Sequence, residues 1–167
     1  KGAHIGFLAS LGVTKVLVYN KPSIAIVVTG NELISPGNPL SYGEIYESNG
    51  AMLSAVLREL GYTKTSIITV PDDYDSTKNT LEKAIKNHDI VIVTGGVSVG
   101  DYDFVGKALI SIGVKEIFYK VKQKPGKPFP RGLIATDSPH SRPAVLVLFS
   151  FLQLVNSKRE RNITPNN

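Results

Sequence analysis

The stretch "VTGGVSVGDYDF", Val93 to Phe104, places Gly95, Gly96 and Gly100 between an apolar run and the start of a helical pattern, then adds Asp101 and Asp103. A phosphate loop of the Walker type follows its last glycine with lysine and then serine or threonine; this one has aspartate. Glycines let backbone N–H groups approach an anionic group at the N-terminus of the following helix, where the helix dipole also favours negative charge. The aspartates would hold a metal, or hydrogen-bond ring nitrogens or hydroxyls of the same ligand. A molecule with both phosphate and heteroaromatic parts fits this pairing.

Further acids follow other apolar runs, with Glu32 in "TGNEL" and Asp72 with Asp73 in "VPDD". Carboxylates drawn together repel unless a proton or cation joins them, so their convergence predicts a divalent metal bound through oxygen, Mg²⁺ by preference. A plain turn with an aspartate N-cap explains "PDD" equally well. The stretch "YKVKQKPGKPF" supplies positive charge. Lys120, Lys122 and Lys124 fall on one face of an extended run, and Pro125, Gly126 and Pro128 hold Lys127 in a stiff turn. Phosphate or another oxyanion would tolerate such crowding; a lysine-guarded sheet edge is the alternative. His4, His88 and His140 are scattered without ligand spacing and read as structural or exposed.

Three short runs rich in β-branched residues would position these groups: "SIAIVVT" (23–29), "TSIITV" (65–70) and "DIVIVT" (89–94). Their near-continuous apolar character predicts strands covered on both faces. Helical patterns lie between and after them. "SNGAMLSAVLREL" carries Ser48 or Asn49 as a cap and stops at Gly61; "DSTKNTLEKAIKNH" begins at Asp75 or Ser76; a third runs from residue 102 or 103 to about Ile112. Strand and helix in alternation predict an α/β fold, a three-layer domain with a mostly parallel sheet and helices on both faces. "KEIFYKV", "RGLIAT" and "PAVLVLF" read as further strands, "SFLQLVNSK" as a closing helix, "GAHIGFLASLG" as a short helix and "VTKVLVYNKPS" as a strand or extended linker. Ligands of open parallel sheets bind beyond the carboxyl ends of the strands, which is where every acid named above falls.

Composition sets the outer bounds. The 167 residues suffice for one domain, and a net charge of +5, from 19 basic and 14 acidic residues, suits an anionic small molecule. Cysteine is absent, which excludes disulfides and thiolate metal sites and accords with a cytoplasmic home. No apolar run approaches the length of a membrane span, and no signal-peptide layout opens the chain. Neither a membrane nor a nucleic acid is expected as a partner.

"TGNEL", "YESNGAMLSAVLRELG", "VPDD", "GGVSVGDYDF" and "KPGKP", in this order from Thr29 to Pro128, resemble the molybdopterin-binding domain of the molybdopterin molybdenumtransferase family. The resemblance implies that adenylylated molybdopterin and molybdate are substrates, and that Mg²⁺-dependent cleavage releases AMP as molybdenum enters the dithiolene. It implies Asp103, Lys120 and Lys124 as catalytic residues and Glu32, Asp72 and Asp73 as metal ligands. Thr29, Gly30, Ser48, Asn49, Gly95, Gly96, Val97, Ser98, Gly100, Asp101 and Lys127 would line the cofactor site. This chain has Asn31 where the family usually has aspartate, and Glu47-Ser48-Asn49 where it usually has Asp-Ser-Asn; after about Thr136 the match fades. The resemblance further implies that residues 1–22 end a preceding domain or form a linker, that 23–157 form the binding domain, and that the protein is a homo-oligomer, a dimer or trimer; the ending "RERNITPNN" reads as part of a disordered tail, 158–167. The related adenylyltransferase and a non-catalytic binding module share the domain and stand as alternatives.

Overall fold

The computed structural model describes residues 1–95, 104–116, 134–135 and 145–149. Helix α1 (Gly2–Ser10) leads through a stretch without helix or strand, residues 11–23, into β1 (Ile24–Thr29). Then come the two-residue strands β2 (Leu33–Ile34) and β3 (Ile45–Tyr46), helix α2 (Asn49–Glu59), β4 (Thr65–Val70), α3 (Tyr74–Asn87), β5 (Ile90–Thr94) and α4 (Phe104–Ser111). The short strands β6 (Lys115–Glu116) and β7 (Ile134–Ala135) precede β8 (Val145–Phe149).

One sheet runs in the order β4-β1-β5-β8-β7-β6, with β4, β1, β5 and β8 parallel and the last two strands antiparallel to their neighbours. This is the α/β architecture that the alternation of apolar runs and helical patterns predicts. Strand β1 lies inside the sheet between β4 and β5, one strand from the edge, and all six of its residues are buried. Alternation along the strands divides them between two layers. Ala25 and Val27 of β1 and Val91 and Val93 of β5 join Leu81 and Ala84 of α3 and Val105, Ala108 and Leu109 of α4 in one core. On the other face α2 lies close, because Gly50 has no side chain: a Cβ there would stand 3.1 Å from Val28 Cγ2 and 3.2 Å from Ile67 Cγ2.

The expectation that all three runs are covered on both faces fails for β4. It forms the sheet edge, and its residues from Thr65 to Thr69 are partly buried or exposed, with Ile67 46% exposed, while Val70 at its end is buried. Helix α3 starts at Tyr74, one residue before Asp75 and two before Ser76, because Asp73 caps it. Of "KEIFYKV" and "RGLIAT", only Lys115–Glu116 and Ile134–Ala135 are described as strand, while the expected closing helix and tail lie outside the described residues.

The amino ends of β1 and β5 are fastened together. Asp89 Oδ2 accepts from both the backbone N–H and the hydroxyl of Ser23, each at 2.8 Å, and the Asp89 N–H reaches the Ser23 carbonyl at 3.0 Å. Nearby, His88 Nδ1 lies 3.1 Å from the Ala84 carbonyl, which can only accept, so Nδ1 donates there, and Nε2 pairs with the Ser66 hydroxyl at 3.0 Å. This histidine is structural, joining the end of α3 to β4.

Candidate functional site

Strand β1 has β4 on one side and β5 on the other, so the chain leaves β1 in one direction and returns past it in the other. A crevice opens at such a reversal, beyond the carboxyl ends of the strands. Its walls are Thr29 and Gly30, ending β1, and Thr94 and Gly95, ending β5. Gly95 has φ +88°, and a Cβ on it would collide with the Thr29 carbonyl oxygen and lie 3.0 Å from Thr29 Oγ1. The two strand ends therefore touch through backbone, as only glycine permits.

Helix α2 delivers Asn49 to the same edge. Its carboxamide Nδ2 donates to Thr94 Oγ1 at 3.0 Å. Ser48 stands at the N-cap position, yet its side chain makes no cap bond; the Glu47 carboxylate accepts from the Gly50 N–H at 2.6 Å instead. Two buried polar atoms in this crevice have no hydrogen-bond partner: Thr29 Oγ1 and Asn49 Oδ1. Buried hydroxyls and amides are nearly always paired, and leaving one unpaired costs about 1–3 kcal/mol. The two atoms approach the crevice from opposite layers, Thr29 from the face that α3 and α4 cover and Asn49 from the α2 face.

The predicted metal ligands sit along the same edge. Glu32 is exposed in the loop after β1. Asp72 is half-buried, and its N–H donates to Asn31 Oδ1 at 3.0 Å, which ties the loop after β1 to the loop after β4. Asp73 is exposed and its Oδ1 accepts the Ser76 N–H at 2.8 Å, the N-cap bond of α3. Among the described residues no three histidine or acidic side chains stand close enough to hold a metal ion. Mg²⁺ takes only one or two carboxylates beside a substrate's phosphates, so these acids can serve it without standing as a cluster of three.

The cap also holds the Asp73 carboxyl below its ordinary value of 3.8, chiefly through the Ser76 N–H and then the Ser76 hydroxyl. A depressed carboxyl contributes stability that is present above the unfolded-state value and lost as the pH falls through the folded one. Asp73→Ala should therefore melt a few degrees lower than wild type at pH 7. The difference should shrink below pH 3.8 and be the same in Mg²⁺ as in a chelator. Thermal melts across that range check it, and a loss seen only with Mg²⁺ would make Asp73 a metal ligand instead.

The structure thus brings Thr29, Gly30, Asn49 and Gly95 to one edge, with Ser48 next to Asn49, the Glu32 carboxylate beside Gly30, where a Cβ would stand 3.0 Å from its Oε2, and Asp72 and Asp73 just after β4. Gly96, Val97, Ser98, Gly100, Asp101, Asp103, Lys120, Lys124 and Lys127 lie outside the described residues. Two participants escape the sequence reading, Glu47 and Thr94. A threonine ending an apolar run looks only like a strand former, and a glutamate before a helix looks like surface.

A family model described as a probable molybdopterin-binding domain matches residues 25–151. A molybdopterin molybdenumtransferase of a Nostoc species is 40% identical over 164 residues, covering 93% of this chain and 38% of that protein. One from Staphylococcus epidermidis is 39% identical over 122 residues, covering 73% of this chain and 29% of its own length. The chain therefore spans well under half of these relatives. Among solved structures, a molybdopterin biosynthesis protein from Pyrococcus horikosii aligns with a TM-score of 0.63 at 31% identity, over 88% of this chain and 35% of that one. The Mog protein of Mycobacterium ulcerans, at 14% identity and a TM-score of 0.55, shares the fold over 84% of this chain and 91% of its own.

Proposed function

The chain belongs to the family of molybdopterin-binding domains of molybdenum cofactor biosynthesis, and from that premise we propose that it binds adenylylated molybdopterin in the crevice between β1 and β5, for insertion of molybdenum from molybdate. The observation that carries this reading is the pair of unpartnered buried atoms there, Thr29 Oγ1 and Asn49 Oδ1. A ligand with hydrogen-bonding ring and hydroxyl groups satisfies them, and Gly95, which has no side chain, lets the end of β5 lie against Thr29. Transfer of molybdenum is what the names of the longer relatives describe; for this chain it is the proposed activity, with Asp103, Lys120 and Lys124 proposed as its catalytic residues. Molybdate and the adenylylated molybdopterin are the substrates, and Glu32 and Asp72 are the proposed carboxylates for Mg²⁺, which takes one or two such groups beside a substrate's phosphates.

Calorimetry on the 167-residue chain with molybdopterin, AMP and inorganic pyrophosphate tests the binding half. Molybdopterin should bind, and Asn49→Ala should weaken it about tenfold, the worth of one hydrogen bond together with the polar group left unpaired. A separate assay of molybdate-dependent AMP release tests turnover. Folded protein that binds none of these compounds would overturn the reading.

A further inference from the structure

We propose that Thr94 is a positioning residue, holding the Asn49 carboxamide so that its other end meets an uncharged, hydrogen-bonding edge of the ligand's heterocycle rather than a phosphate. The inference rests on the reading of the crevice as a molybdopterin site and adds which part of the ligand lies against α2.

Three observations carry it. Thr94 is 1% exposed, and its hydroxyl lies 3.0 Å from Asn49 Nδ2. A hydroxyl both donates and accepts, so it grips whichever end of the amide faces it, and the opposite end is left for a ligand. That opposite end is buried and has no partner, as is the hydroxyl of Thr29, itself 2% exposed. The third observation concerns charge. The N-terminus of a helix attracts anions, but at α2 the chain has placed its own: Glu47 Oε1 accepts the Gly50 N–H at 2.6 Å, and a Cβ on Gly50 would meet Glu47 Oε2 at 3.0 Å. A phosphate brought to that helix end would face a carboxylate. A neutral ring edge with amide or amino groups meets no such repulsion, and it suits a carboxamide.

The test is calorimetry with two probes, 6-hydroxymethylpterin for the ring and inorganic pyrophosphate for the anion, on wild type, Thr94→Val, Thr94→Ser, Asn49→Ala and the Thr94→Val/Asn49→Ala pair. Valine keeps the shape and the strand preference of threonine and removes only the hydroxyl. Thr94→Val should weaken the pterin about tenfold and leave pyrophosphate unchanged. Thr94→Ser should restore pterin binding, and Thr94→Val should add little once Asn49 is alanine, because the two act as one unit. A merely structural threonine would weaken both probes alike and add fully to Asn49→Ala. Should Thr94→Val melt early, Asn49→Ala carries the same test from the other partner, by loss of pterin without loss of pyrophosphate. Unchanged pterin binding in Thr94→Val, full additivity, or parallel loss of both probes overturns the inference. Wild type that binds pyrophosphate but no pterin overturns it as well, whereas wild type that binds neither defeats the functional reading itself.

Discussion

Gly95→Ala should lower the melting temperature by about 6–12 °C and weaken ligand binding tenfold or more, the largest effect of any single methyl group added to the crevice. The cause is local. At φ +88° an L side chain is strained, which costs about 1–2 kcal/mol. The added carbon would also collide with the carbonyl oxygen of Thr29, and its next neighbours are the Thr29 carbonyl carbon and hydroxyl, each 3.0 Å away. The two carbonyl atoms are backbone of β1, a strand paired on both sides, and cannot swing aside as a side-chain tip would. Either β1 and β5 part at their carboxyl ends or Gly95 abandons its conformation, and both move Thr29 and Thr94. A total near 3 kcal/mol corresponds to the stated shift for a chain of this size. Thermal melts with calorimetry on the same samples measure both numbers. A variant that melts within a degree or two of wild type would show that the strand ends have room the structure does not grant them.

Thr29→Val should do the opposite to stability. The Thr29 hydroxyl is buried with no partner, so replacing it by a methyl group of the same shape removes a desolvation penalty and should stabilise the free protein by about 1 kcal/mol. Valine also prefers the strand conformation of this position. Ligand affinity should fall ten- to hundredfold, because a polar group of the ligand would then be buried against a methyl group. Stabilisation together with lost binding marks a residue kept for a ligand and not for the fold. Denaturant melts and calorimetry read the two effects separately. A destabilised variant would mean that the hydroxyl serves the folded chain; a more stable variant with unchanged binding would remove Thr29 from the site.

The same two residues show what the sequence conveys and where it stops. Near-continuous β-branched runs announce β1 and β5, and their carboxyl ends, with Thr29, Gly30 and Gly95, follow from the rule that ligands gather there. Apolar continuity reports residue type and not place in the sheet, which is why β4 reads as buried although it is the edge strand, with Ile67 half exposed beneath the start of α2. Strands β2 and β3 have two residues each, too few for any periodicity to register. Asp73 illustrates a different limit. Metal ligand and helix cap ask for the same residue type after a strand, and only the Ser76 N–H at 2.8 Å separates them. Thr94 is invisible for the same reason inverted: nothing in a terminal strand threonine reveals that an asparagine 45 positions away in the chain will lean on it.

The bond set between Ser23 and Asp89 sits at the far end of the two strands from the crevice. Between that clamp and the crevice the strands are paired rung by rung, from Ile24 opposite Ile90 to Val28 opposite Thr94, so they move as one plank and not as two jaws. The bite of the site is then cut in advance, and a ligand must fit the notch at the plank's end because the rungs leave the strands no freedom to part for it.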